Sequence, residues 1–185
     1  MEVQTQRGFT LIEVIVVMAL AGILVAIALP DFVSFMKNNT RTSTVNDLLA
    51  SMHVARSEAI TRNGRVMLCP STDGGSCDGG SDWENGWLVF YDEDGDQDFG
   101  GDDQKLNYTA GIDGYDVGSS VFEKGLSYRS NGRAMAGLIA DNTGEFIICD
   151  SRGPDFARVI IVPPSGRPRS SDAKSDGSAV TSCPG

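Results

Sequence analysis

Residues 1–32 read MEVQTQRGFTLIEVIVVMALAGILVAIALPDF, and between Phe9 and Leu29 the one charged side chain is Glu13. Those 21 residues make a helix about 30 Å long at 1.5 Å per residue, the thickness of a bilayer's hydrocarbon core. A carboxylate at the centre of such a span costs roughly 2.5–3.5 kcal/mol on insertion scales, so it demands a partner. The segment does not read as a discarded secretory signal. A polar lead ending in Arg7-Gly8 precedes it, no A-x-A site follows it, and helical residues continue beyond it. It reads as a retained anchor. The positive-inside rule puts Arg7 and the short N-terminus in the cytoplasm and the bulk of the chain outside.

The length of 185 residues suits one domain plus that element. Four cysteines, Cys69, Cys77, Cys149 and Cys183, agree with an oxidising compartment. None falls in the short C-x2-4-C spacing that zinc prefers. Three connectivities are open to four cysteines. The expected pairs are Cys69–Cys77, closing the loop PSTDGGS, and Cys149–Cys183, pinning the polar tail to a strand. The formal charge is -10. A chain so acidic is a poor generic nucleic-acid binder, and any such activity has to come from a local basic patch.

Beyond the apolar run, residues 31–62 continue as helix. Val45, Leu48, Leu49, Met52, Ala55, Ala59 and Ile60 recur at three- and four-residue steps, so an apolar stripe lies along one face of this half. Pro30 predicts a bend within the pattern. Asn63-Gly64 ends it, with the glycine expected to take the left-handed cap conformation. The whole is a single helix about 80 Å long. Short β-strands are predicted at RVMLC (65–69), GWLVFYD (86–92), QKLNY (104–108), LSYRS (126–130), GEFIICD (144–150) and ARVIIV (157–162). Ser130-Asn131-Gly132-Arg133 carries a hairpin-turn signature. From Pro163 onward the chain is rich in Ser, Pro and Gly and reads as a polar tail. The fold class is α+β.

The run Arg7-Gly8-Phe9-Thr10-Leu11-Ile12-Glu13-Val14 resembles the processing site of type IV pilins and type II secretion pseudopilins. Ala55-Arg56-Ser57-Glu58-Ala59-Ile60-Thr61-Arg62, Gly86–Asp92 and Gly166-Arg167-Pro168-Arg169 resemble landmarks of the GspH/FimT group of minor pilins within that family. The resemblance implies the type IV pilin fold, a long helix packed on an antiparallel sheet. It divides the chain into a leader peptide (1–8), a transmembrane half-helix (9–29), an amphipathic half-helix (30–62) and a β-rich head (63–185). It implies cleavage between Gly8 and Phe9 by a prepilin peptidase and N-methylation of the new Phe9 amine. It also implies a single pass through the bacterial inner membrane, a periplasmic head, and assembly with other pilin subunits through the helix. Glu13 becomes the fifth residue of the mature chain. The family's usual partner for it is the Phe9 amine of an adjoining subunit, a buried pair that sets register. Ala19, Ala21, Gly22 and Ala26 permit close helix–helix approach.

Catalysis finds little to stand on. The one histidine, His53, sits on the helix flank with no evident nucleophile or metal partner, and Ser57 and Glu58 do not complete a constellation. No phosphate-binding loop or dinucleotide fingerprint is present, and no cofactor is implied. The stretch DEDGDQDFGGDD (92–103) holds seven acids in twelve residues. Asp92, Asp94, Asp96 and Asp98 alternate as calcium ligands do. The sixth position is Gln97 rather than glycine, and the twelfth is Asp103 rather than glutamate. A calcium loop and a solvated acidic turn are both open. In the tail, Arg167 and Arg169 flank Pro168, so on an extended strand both point to one side. Lys174 follows; Arg152 and Arg158 precede. Arginine pairs phosphate oxygens bidentately, and the Gly-Arg-x-Arg pattern resembles the DNA-binding motif of FimT-type minor pilins of natural transformation. The expected DNA-binding set is Arg167, Arg169 and Lys174, with double-stranded DNA as a partner. The competing expectation is a purely structural minor pilin or type II secretion pseudopilin whose arginines pair with the many aspartates.

Overall fold

The structure is a computed structural model that describes residues 8–136 and 144–184. The leader residues 1–7 lie outside the described residues. Helix α1 runs Leu11–Arg62 with Pro30 inside it. Its N-terminus is closed by a reciprocal pair. The Glu13 amide donates to Thr10 Oγ1 at 3.3 Å, and the Thr10 amide donates to Glu13 Oε2 at 3.4 Å. This is a capping box, with Thr10 at the cap and Glu13 three residues on.

The chain divides into two compact units, Met1–Asn39 and Thr40–Gly185. In the first, the helix is apolar all round over residues 14–29, and Leu11, Ile15, Met18, Ile23, Leu29 and Phe35 are exposed. It is long and apolar enough to cross a membrane.

The second unit contains the rest of α1 and two antiparallel sheets. One has the order β3-β2-β1-β5-β6, built from β1 (Arg65–Pro70), β2 (Gly86–Asp92), β3 (Gln104–Ala110), β5 (Leu126–Tyr128) and β6 (Ala134–Ala136). The other has the order β4-β7-β8-β9, from β4 (Tyr115–Gly118), β7 (Gly144–Asp150), β8 (Arg158–Val162) and β9 (Arg169–Ser171). The two antiparallel sheets agree with the α+β class, and the strands that sequence reading misses are β4, β6 and β9. All three are edge strands of three or four residues, and neither β4 nor β9 has an aliphatic run. β9 also corrects the reading of everything after Pro163 as tail.

One core joins α1 to both sheets. Val45, Leu48, Met52, Ala55 and Ala59 are buried with Leu68, Trp87 and Tyr128 of the first sheet and Phe146, Ile148 and Ile160 of the second. Leu49 is only half-buried and Ile60 is 45% exposed, so the buried stripe is narrower than the sequence pattern suggests. The two indole groups of this core are satisfied: Trp87 Nε1 donates to Ser51 Oγ at 2.9 Å, and Trp83 Nε1 to the Phe122 carbonyl at 3.1 Å. The helix stops at Asn63, which itself takes φ 54, while the Gly64 amide returns to the Ala59 carbonyl at 3.1 Å. Gly64 is there for a different reason than expected. A Cβ on it would run into the Tyr91 ring.

The two sheets meet at a pair of glycines. Gly132, φ 74, lies in the β5–β6 hairpin turn, and Gly166, φ 70, in the turn after β8. A Cβ on Gly166 would overlap the Gly132 carbonyl oxygen and stand 3.1 Å from the Tyr128 ring. The Ala134 amide donates to the Pro164 carbonyl at 3.3 Å, and Arg56 Nε donates to the Gly132 carbonyl at 3.0 Å. Two disulfides complete the unit, Cys69–Cys77 and Cys149–Cys183, with 8 and 34 residues of separation.

A buried ion pair organises the far end of β7. Arg152 donates to Asp150 through Nε at 2.8 Å and Nη2 at 2.6 Å, and its guanidinium lies 4.4 Å from the Phe156 ring centroid. Arg41, itself buried, approaches Asp150 at 4.0 Å and donates to the Phe156 carbonyl. The Arg152 side-chain hydrogen bonds outweigh burial and hold the Asp150 carboxyl below the usual carboxylate range.

Two outcomes follow from this packing. Gly166→Ala combines a left-handed backbone with an overlap onto another strand's carbonyl, and should cost more than about 2 kcal/mol in denaturant unfolding. Gly177→Ala, with φ 84 and open space around it, should cost only about 1 kcal/mol. For Asp150, a depressed folded pKa means stability that is present above about pH 4 and lost as pH falls through the folded value. Asp150→Asn should therefore destabilise by about 3 kcal/mol at pH 7, and by progressively less below pH 4, in a pH series of thermal melts.

Candidate functional site

The turn that carries the tail arginines is set by its own backbone. The Gly166 amide donates to the Pro163 carbonyl at 2.8 Å, and the chain then extends into β9. Pro168 is buried, while Arg167 and Arg169 on either side are exposed. Of the three, only Arg169 is in the ladder, opposite Ile161 of β8. No hydrogen bond or ion pair joins either guanidinium to another described residue. Arg169 opens the edge strand β9, and Arg167 lies two residues before it in the connection from β8.

The other basic residues read from sequence are placed differently. Arg158 pairs with Asp172, and Arg152 with Asp150. Lys174 lines a cavity of about 400 Å³ together with the acidic residues Asp82, Glu84, Glu123 and Glu145. The structure thus keeps Arg167 and Arg169 together and puts Lys174 in an acidic setting. Sequence reasoning passes over Arg129 and Arg133. Both are exposed on the hairpin turn that touches Gly166, and Arg56 bonds that same turn. The signal available for them is the hairpin Arg129-Ser130-Asn131-Gly132-Arg133 itself. Nothing in one sequence says which turn it meets.

In the acidic loop, the carboxylates of Asp92, Asp94, Asp96 and Asp103 come within 4.8 Å of one another. Asp98 is not among them and Asp103 takes its place, which corrects the alternation read from sequence. Asp98 instead accepts from the next amide, Phe99, at 2.9 Å. Such oxygens suit a hard divalent cation. Each of the four carboxylates also accepts a backbone N–H within the loop, from Gly95, Asp96, Asp98, and Glu93 with Gly100 respectively. Asp92 is buried and bonded to Arg65 at 3.3 Å. Burial raises its carboxyl above the ordinary range in spite of the Gly95 amide and Arg65. Gln97, at the position where a calcium loop has its glycine, takes φ 70.

At the N-terminus, Phe9 is 85% exposed and nothing stands within 4 Å of where a Gly8 side chain would be. Glu13 already has a local function in the isolated chain as half of the capping box. The sequence displays that signature openly as Thr10-x-x-Glu13. His53 and Ser57 on the helix flank are exposed and do not converge on a catalytic geometry among the described residues.

Comparison with known proteins agrees with this architecture. Residues 4–29 match the model of the prokaryotic N-terminal methylation motif. Over 45 residues the chain is 47% identical to fimbrial protein Q of Moraxella bovis, covering 24% of this chain and 29% of that protein. Over 44 residues it is 46% identical to the type IV major pilin protein PilA of Myxococcus xanthus, covering 24% and 20%. The chain therefore spans under a third of the length of those two relatives. Among solved structures, the type IV minor pilin FimU of Pseudomonas aeruginosa aligns with TM-score 0.57 at 20% identity, over 80% of this chain and 98% of that one. That likeness shows a shared type IV pilin fold. Residues 44–166, most of the chain, match the family model described as type II transport protein GspH, and the chain belongs to that family.

Proposed function

We propose that this protein is a FimT-like minor type IV pilin that enters or primes a pilus through its N-terminal helix and binds DNA for natural transformation. In this reading prepilin peptidase cleaves between Gly8 and Phe9, and Phe9 becomes the methylated N-terminus. The helix anchors the subunit in the bacterial inner membrane with the head in the periplasm, then packs among other pilin subunits. Glu13 gives up its local cap and pairs with a neighbour's Phe9 amine. Both states put the carboxylate beside positive potential, the helix N-terminus or an ammonium. The observation that carries DNA binding is the exposed Arg167/Arg169 pair, flanking a buried proline and free of carboxylate partners among the described residues. The protein is proposed to work as a structural and binding subunit, without catalysis.

A second reading keeps the filament and drops the DNA: a type II secretion pseudopilin or a purely structural minor pilin. The family description favours it, and it needs only the methylation motif, Glu13 and the packed head.

Mass spectrometry of membrane-extracted protein should find N-methylated Phe9 as the first residue; an intact Met1 would sink the pilin reading. Glu13→Val should leave membrane insertion intact, since it removes a costly charge, yet lower recovery in sheared filaments. Equal recovery would deny Glu13 a register role. For DNA, the full chain in neutral detergent should shift duplex weakly, at micromolar affinity or above, without sequence preference. Arg167→Gln with Arg169→Gln should remove most of that binding while leaving filament incorporation intact and stability within about 0.5 kcal/mol of wild type. Unchanged binding by the double variant would favour the second reading.

A further inference from the structure

We propose that the DNA-binding face is a two-segment arginine surface, with Arg129 and Arg133 of the β5–β6 turn standing beside Arg167 and Arg169, and that it grips the phosphate backbone of duplex DNA. The inference rests on the DNA-binding reading above and adds to it the second arginine segment and a physical reason for duplex over single strands.

The juxtaposition comes from backbone. Gly166 lies so close to the Gly132 carbonyl that no Cβ fits between them. Arg167 follows Gly166 directly, and Arg133 follows Gly132. The pairing of Ala134 with Pro164 fixes the approach a second time. Arg56 Nε donates to the same Gly132 carbonyl, so Arg56 is a positioning residue that ties the turn to α1.

Composition agrees. Residues 126–136 read LSYRSNGRAMA and residues 163–171 read PPSGRPRSS. Together they hold four arginines and not one Asp or Glu, in a chain where 25 of 185 residues are acidic. At this glycine seam Arg129, Arg133, Arg167 and Arg169 are all exposed. Two segments without acids that display guanidinium forks are suited to phosphate oxygens.

The same two segments point to duplex over single strands. Proteins that hold single strands stack bases on exposed aromatic rings. The one aromatic in these segments, Tyr128, is fully buried, with its ring against Gly166. The turn's amides are also spoken for: the Arg129 and Arg133 N–H groups bond the Arg133 carbonyl and Asn131 Oδ1, each at 3.0 Å. The exposed guanidinium groups carry the charge of these segments, and charge grips phosphate without reading bases.

The test uses the full chain in neutral detergent, with labelled duplex and single-stranded DNA of one mixed sequence, titrated at several KCl concentrations. Wild type should prefer duplex. Arg129→Gln with Arg133→Gln should lower affinity at low salt at least tenfold and reduce the log–log salt slope by about 1.8, as two lost phosphate contacts require. Arg129→Gln alone should reduce it by about 0.9. Arg129→Lys with Arg133→Lys should keep most of the slope, which separates lost charge from a damaged fold. If the Arg129/Arg133 glutamine variants keep the wild-type slope while Arg167→Gln with Arg169→Gln loses it, this surface is wrong and the tail acts alone. Tighter binding of single strands overturns the duplex assignment. No binding by wild type at low salt overturns the DNA reading itself and this inference with it.

Discussion

The helix stripe from Val45 to Ala59 is buried against both sheets, and the core of the head is arranged around it. Five residues at three- and four-residue steps lose all or nearly all solvent contact. Ala55 and Ala59 at the C-terminal end are the smallest side chains of the five and leave room for strands to come close. Beside them, Arg56 reaches the Gly132 carbonyl, and Gly132 in turn sits against Gly166. A line of contacts thus runs from a helix face, through a hairpin turn, to the segment that displays Arg167. Loosening the stripe would be felt at the arginines through that line.

Much of this is legible in the sequence because the relevant signals are local. The helix, its apolar steps and six of the strands are written in periodicity and punctuation. Four of those strands start and end within a residue of their predicted bounds. The exposed pairing of Arg167 and Arg169 follows from alternation alone. What escapes is set by contacts distant in sequence. β4, β6 and β9 owe their existence to a neighbouring strand's hydrogen bonds, since three or four residues cannot hold an extended conformation by propensity. Asp103 replaces Asp98 in the acidic cluster because the loop folds back on itself, and the two-residue alternation of a strand does not apply there. By sequence, Gly64 and Gly166 have only the role of ending an element or making a turn. The structure gives each a second constraint, a ring in one case and a carbonyl in the other.

Under the proposed assembly, Glu13 would serve two environments in turn. In the isolated chain its carboxylate closes the helix N-terminus with Thr10. The capping interaction is worth about 1 kcal/mol, well short of the cost of burying a carboxylate in hydrocarbon. A cap therefore makes the free subunit tolerable without making the position comfortable. An arrangement that brought a cation to Glu13 would have a free-energy gradient to draw on, and that is what a register device requires.

The net charge of -10 looks at first to forbid any contact with DNA. The screening length decides otherwise. At physiological ionic strength it is about 8 Å, so charges farther than that from a phosphate count for little, and the immediate neighbourhood dominates. Five of the seven acids of residues 92–103 accept backbone amides of their own loop, and Glu58, Asp150 and Asp172 hold arginines in ion pairs. Twenty residues, 126–136 and 163–171, contain no acid at all. On the proposed reading, segregation of this kind would give weak, salt-sensitive attraction from a single subunit. Repeating the surface along a polymer would raise its effective concentration for a long polyanion without any new contact. A shallow, modestly basic face on a subunit is enough when the ligand is itself a repeating charge.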